Sequence, residues 1–217
     1  MPFRTIRDSS TATLVVQKSR FIGQCFHVAS EEEAQSVIES VRKQYWDARH
    51  CCYAYILSGE VPKEKSSDDG EPSGTAGAPI LYTLKQSGLQ DVLCTVTRYF
   101  GGILLGKGGL TRAYSQSAAD AVRLAEVFDV RSSYVCETDV SYSQWAKLEG
   151  YLRSECVKVL PSFSDIVSVR FSVDTGKKDR LFEKLGLMTD ASVCPAVISE
   201  EVYFERALEK AEGSSEK

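Results

Sequence analysis

Chemistry of one kind is concentrated between Asp91 and Arg123, in DVLCTVTRYFGGILLGKGGLTRAYSQSAADAVR. Five glycines fall within nine positions: Gly101, Gly102, Gly106, Gly108 and Gly109. Glycine is costly to order, so this density implies left-handed angles or close backbone approach. Arg98, Lys107 and Arg112 lie in the same stretch, with no acid between Asp91 and Asp120. Tyr99 and Phe100 immediately precede the glycines. A basic, glycine-rich loop entering a helix suits an anion, because helix-start N–H groups have no intrahelical acceptor.

Gly101-x4-Gly106-Lys107 approaches the phosphate loop G-x-x-x-x-G-K-[ST], but Gly108 stands where magnesium needs a hydroxyl. Downstream, the nearest strand ending in an acid, at Asp174, alternates with Arg170 and Ser172 and lacks the expected apolar run. Nucleotide hydrolysis is therefore disfavoured. Ile103, Leu104 and Leu105 are expected to pack.

Acidic chemistry is concentrated elsewhere. Ser58 to Ala78 reads as a long loop carrying Asp68, Asp69 and Glu71, oxygen donors of the kind a hard divalent cation takes. A solvated acidic turn explains the same residues, through Asp-Gly and Glu-Pro turn chemistry, and is preferred; no metal and no cofactor is expected. His50 beside Cys51 and Cys52 suggests a thiol nucleophile. Neighbours on a strand face opposite ways, however, so only His50 and Cys52 share a face, and buried structural cysteines are the preferred reading. His27 reads as structural.

Periodicity supplies the scaffold around these residues. Asp91–Thr97 reads as a strand and Thr111–Ala125 as a helix with a small-residue face of Ala113, Ser117, Ala118, Ala121, Val122 and Ala125. Before them come strands over Thr11–Gln17, Arg20–Val28 and Ala48–Leu57, a helix capped by Ser30 with Glu33 completing a capping box, and a short helix from Ile80 to Ser87 closed by Gly88. Phe128–Arg131 reads as a junction. After it the pattern restarts as strand 134–141, helix 143–154, strands 155–160 and 165–173 around a Pro161-Ser162 turn, a helix capped by Asp174 and ended by Gly186, and strand 196–204. This is the order βαββαβ of a ferredoxin-like unit. The fold class is α/β (α+β), with domains at 1–130 and 131–206 and a disordered tail at 207–217.

With 217 residues the chain can build one large or two small cores. It has no apolar run of membrane-spanning length, and MPFRTIRDSS lacks a signal-peptide core, so a cytoplasmic protein with no membrane partner is expected. Seven cysteines without CxxC spacing fit free thiols, and two histidines argue against a zinc site. A net charge of −4 means that any nucleic-acid contact must come from a local patch.

Four stretches together resemble the YigZ/Impact family: KSRFI at Lys18–Ile22, ARHCCYAY at Ala48–Tyr55, SDDGEPSGTAGAPIL at Ser67–Leu81 and TVTRYFGGILLGKGGLTRAY at Thr95–Tyr114. Residues 134–205 are similar to the second domain of the bacterial YigZ type. The resemblance implies a first domain of the fold shared with ribosomal protein domains, domain four of elongation factor G and small-molecule kinases. It implies a second domain similar to domain five of elongation factor G. Eukaryotic members regulate translation through a protein partner that controls an initiation-factor kinase, and no enzymatic activity is implied.

The leading expectation is a non-enzymatic binding protein linked to translation. RNA or the ribosome would meet Arg98, Lys107 and Arg112 through phosphates and stack a base on Tyr99 or Phe100, while the glycine backbone admits the phosphate closely. Tyr99 and Phe100 as core residues, with the cations as a solvated rim, is the alternative reading of those side chains. A second expectation is an enzyme binding a phosphorylated small molecule or nucleotide, with Asp68, Asp69 and Glu71 folded back over the glycine loop to bring a metal. A third is a protein-interaction module in translation regulation.

Overall fold

Val92–Tyr99 (β6) is apolar or small for most of its length and buried from Val92 to Arg98, the pattern of a strand covered on both faces. It is the centre of the first sheet. In the computed structural model, which describes residues 3–207, that sheet has the order β2-β3-β6-β4-β5. Its strands are β2 (Ser10–Val16), β3 (Ser19–His27), β4 (His50–Leu57) and β5 (Lys63–Ser67), all paired antiparallel. A short β1 (Phe3–Ile6), not expected from the sequence, bonds back through Arg4 to Leu89 and Gln90.

Alternation along the strands sorts the core. Phe21, Cys25, Cys52, Ala54, Ile56, Val92, Cys94 and Val96 pack with α2 (Gly77–Ser87) and α3 (Gly106–Leu124). Tyr55, Leu57 and Leu93 face α1 (Glu31–Gln44) through Ala34 and Ile38. The small face of α3 lets it approach β3 very closely: a Cβ at Gly23 would collide with the Ser117 backbone. Ser10 Oγ also donates to the Ala121 carbonyl at 2.7 Å.

Helix ends follow local rules with small departures. Ser30 accepts from the Glu33 N–H, but Glu33 reaches back to the Ala29 N–H rather than completing a box on Ser30. Gly88 closes α2 at φ 68°, a left-handed angle suited to glycine.

The chain divides into a first unit of residues 3–129 and a second of residues 130–205. The second runs from β7 (Val127–Val140) through α4 (Tyr142–Glu155), β8 (Lys158–Phe163), β9 (Val167–Asp174) and α5 (Lys178–Met188) to β10 (Ala196–Arg206). Strands β7, β9 and β8 are neighbours in that order, with β10 also on β7. Order βαββαβ with this pairing is the ferredoxin-like topology. Ser141 and Gln144 form a full capping box on α4, and Cys136, Trp145, Leu148, Phe171 and Leu185 fill the core.

Several boundaries can be set against the sequence reading. Lys63–Ser67 is a strand within the supposed loop. The two units divide between Asp129 and Val130, inside the expected junction Phe128–Arg131, although β7 runs through it without a break. Pro161 is not a turn residue but lies within β8, opposite Val169; an edge strand tolerates proline because one side of its backbone needs no partner. Asp174 does not cap α5: the cap position falls on Lys177, and the helix continues past Gly186 to Met188. The expected tail lies outside the described residues, apart from Ala207.

Candidate functional site: the β6–α3 connection

The two ends of this connection behave differently. Strand β6 extends to Tyr99, so Arg98 and Tyr99 are strand residues. Arg98 shares the face of Val96 and turns inward. Its side chain is 7% exposed, and Nη1 donates to Glu71 Oε1 at 2.7 Å, the Glu71 side chain being 3% exposed. Tyr114, from the middle of α3, donates its hydroxyl to the same oxygen at 2.8 Å. The Phe21 and Phe100 rings flank the guanidinium at 5.4 and 5.6 Å. Arg98 is therefore corrected from phosphate ligand to internal ion-pair partner: its charge is neutralised and its donors face the protein.

Tyr99 is half-buried and engaged, its hydroxyl donating to Asp47 at 2.7 Å and the Arg20 guanidinium lying 4.4 Å from its ring centroid. Phe100, 50% exposed, is the aromatic with a free surface.

The acidic loop does fold onto this connection, through Glu71, but it delivers no metal-ready carboxylates. Asp68 accepts from the N–H groups of Gly74, Ala76 and Gly77 at 2.8–3.0 Å. Burial raises its pKa, yet these three donors outweigh burial and hold the carboxyl below its ordinary value. Asp69 accepts from the Cys51 N–H at 2.7 Å and pairs with Arg42 at 2.6 Å. Glu71 holds Arg98 and Tyr114. Each carboxylate is occupied by the chain's own donors, and the three face different partners. Among the described residues there is no group of three or more His, Cys, Asp or Glu side chains placed to hold a metal.

His50 and Cys52 share a face and lie under this loop, as their spacing implies. His50 Nδ1 lies 2.9 Å from the Asp69 carbonyl, and Cys52 Sγ donates to the Asp68 carbonyl at 2.9 Å. Burial pushes the Cys52 thiol far above its ordinary range, against a smaller opposing effect from Tyr114, so it is a poor nucleophile. All seven cysteines are free.

Beyond Phe100 the chain opens to solvent. Gly101 is pressed against the two-residue β2–β3 turn, where any Cβ would overlap the Lys18–Ser19 peptide; its N–H donates to Ser19 Oγ at 3.1 Å. Gly102 comes next, exposed. Helix α3 starts at Gly106, five residues earlier than the periodicity implies, so Lys107, Gly108 and Gly109 form its first turn. Gly106 has φ 66°, a left-handed angle that favours glycine. No side chain caps this end and no acid lies in its first turn. Lys107 and Arg112 are exposed, and Gly108 has open space in front of its Cα. Ile103 and Leu104 do not pack as expected: they are 42% and 86% exposed.

Ser19, Arg42 and Tyr114 escaped the sequence reading. Ser19 is a small polar turn residue, Arg42 a surface cation of a helix, and Tyr114 sits where a core aromatic is expected. Their roles arise from contacts across 27 to 82 residues.

The model of the Impact N-terminal domain matches residues 17–122, which contain the whole connection and the loop beneath it. The IMPACT family member YvyE of Bacillus subtilis is 42% identical over 149 residues, covering 69% of this chain and 69% of that protein. The IMPACT family member YigZ of Escherichia coli is 44% identical over 110 residues, covering 50% of this chain and 54% of that protein. The Protein IMPACT homolog of Dictyostelium discoideum is 39% identical over a stretch covering 42% of this chain and 27% of it. A crystal structure of a hypothetical protein superposes with a TM-score of 0.61 at 31% identity, covering 91% of this chain and 98% of that one. With the Arg98–Glu71 pair, the glycine-rich entry to α3 and the loop under it all inside the matched region, the chain belongs to the IMPACT family.

Proposed function

We propose that this chain is a non-enzymatic binding protein of translation regulation that acts in the cytoplasm and grips RNA, free or ribosomal, at the glycine-rich start of α3. One observation carries the reading: an exposed, uncapped helix start flanked by Lys107 and Arg112, with no ion pair to either cation among the described residues. Orphan N–H groups and the helix dipole give about half a unit of positive charge there, and two cations add to it on a chain whose net charge is −4. Exposed Phe100 offers a face for one base. Family membership supports the link to translation, which the resemblance to the eukaryotic members implies.

The test is a titration of labelled single-stranded RNA at several salt concentrations. Two phosphate contacts give a log–log slope of about −1.4. Lys107→Ala and Arg112→Ala should each weaken binding and remove about 0.7 from that slope. Absent binding, or binding unchanged by both substitutions, would remove RNA from the reading. A small phosphate ester would instead show shallow salt dependence. The second reading, a protein-interaction module, is favoured by exposed Ile103 and Leu104 at the same loop, which RNA phosphates do not use.

A further inference from the structure

Beside β2 lies a cleft of about 790 Å³, lined by Leu14, Val16, Tyr82, Leu105, Arg112 and Ala113 among others from β2, α2 and α3. We propose that it receives an extended segment of a partner protein, alternating apolar and acidic residues, which adds to the β2 edge as a sixth strand. The proposal goes beyond the RNA reading: it uses neither the α3 amides nor Lys107 and shares only Arg112 with it, so Lys107→Ala should leave peptide binding unchanged.

The two edges of the sheet differ in the way that matters for strand addition. Natural edges are blunted by charge, proline or bulges, because an open row of N–H and C=O groups is a template for another chain. The β5 edge obeys this rule: Lys63, Glu64 and Lys65 lie on it, and Glu64 pairs with Lys85 at 2.6 Å. The β2 edge does not. Ser10–Val16 has no charge and no proline, and it pairs in unbroken register with β3 from Ser10↔Cys25 to Val16↔Ser19. Among the described residues, no other strand lies beside it. Thr11, Thr13 and Val15 are exposed, while Ala12, Leu14 and Val16 are half-buried on the α3 side.

An added strand would place every second side chain over the cleft. The floor there is apolar, from Leu14, Val16, Leu105 and Ala113, and Tyr82, 62% exposed, forms a wall. No acid lines the cleft; Arg112 lies on its rim, and Lys18 immediately succeeds its Gln17. Charge complementarity therefore selects an acidic partner over a basic one, and main-chain pairing supplies the affinity that sequence-tolerant strand addition uses.

The test uses the whole protein and a synthetic array of peptides about as long as β2, in which apolar residues alternate with Glu, beside the same set with Lys for Glu. The Glu set should bind selectively, perturbing the amides of Thr11–Val16. N-methylation of alternate backbone nitrogens on the pairing edge should abolish binding. Arg112→Glu should weaken the Glu set by about tenfold or more while leaving the fold intact, since the side chain is exposed. Equal binding of Lys and Glu sets, full binding by N-methylated peptides, or no binding by any member would overturn the proposal. So would a concentration-dependent dimer whose interface is β2 and which excludes the peptides, because the occupant would then be a second copy of this chain.

Discussion

Two loops of the first unit carry charge and use it in opposite ways. Residues 68–77 place three carboxylates in a small space and engage all of them with the protein's own donors: backbone N–H groups, Arg42, Arg98 and Tyr114. Residues 100–109 hold glycines and a lysine and leave them outward, with the helix start uncapped. The location of the counter-groups decides which of these a charged loop becomes. Asp68 lies beside three donors of its own loop. No acid lies in the first turn of α3 to meet Lys107.

Glu71 gives the most forceful test of this contrast. Glu71→Ala leaves the Arg98 guanidinium buried without its counter-charge, so denaturant unfolding should show a loss of about 3–5 kcal/mol. Lys107→Ala should stay within about 0.5 kcal/mol of the parent. Equal effects from the two would erase the distinction.

Next in size are two glycines of the same connection, with opposite signs. Gly101→Ala forces the β2–β3 turn away from the loop and should cost about 1–3 kcal/mol. Gly108→Ala, in open space on a helix, should stabilise by up to about 1 kcal/mol. Thermal midpoints of both variants give the answer.

Asp68 supplies a weaker, pH-dependent effect. Its folded-state pKa is depressed, so its contribution is full above the unfolded value near about 4 and is lost as pH falls through the lower folded value. Asp68→Asn should therefore lower stability above about pH 4 and flatten the acid limb of the stability–pH curve, so that variant and parent converge at low pH. A limb identical to the parent's would remove Asp68 from the clamp.

The slightest effect is kinetic. In the folded protein a thiol reagent should reach exposed Cys194 first and leave Cys52 and Cys94 unlabelled until unfolding, because both thiols are buried and shifted upward. Early labelling of Cys52 would show that the acidic loop opens over it.

Much of this fold was legible in the sequence because its signals are local. Alternation marked β3 and β4, Ser30 and Gly88 marked helix ends, and the restart after residue 130 marked the βαββαβ order. Strand β5 was hidden because KEKSS has no apolar face: its neighbour in the sheet and its edge position make it a strand. The start of α3 was hidden because glycines carry low helix propensity, and the helix is held there by Leu110, Ala113 and Tyr114, buried in the core one and two turns later. At the site, the glycine density and the clustered cations were legible. The pairing of Arg98 with Glu71, 27 residues apart, was not, since a strand arginine looks the same whether it turns in or out.

Helix α3 has one further consequence, in the language of hydrogen exchange. Its amides fall into two populations set by the same 19-residue rod. Those of Gly106, Lys107 and Gly108 have no intrahelical acceptor and belong to exposed residues, so they exchange at near-coil rates. Those from Tyr114 onward are bonded within a helix that Tyr114 fastens to Glu71 and Ser10 fastens at Ala121, and they exchange only when the unit opens. An anion seated at the helix start would slow the first population and leave the second untouched. The protein thus carries its own gauge of occupancy in three backbone protons.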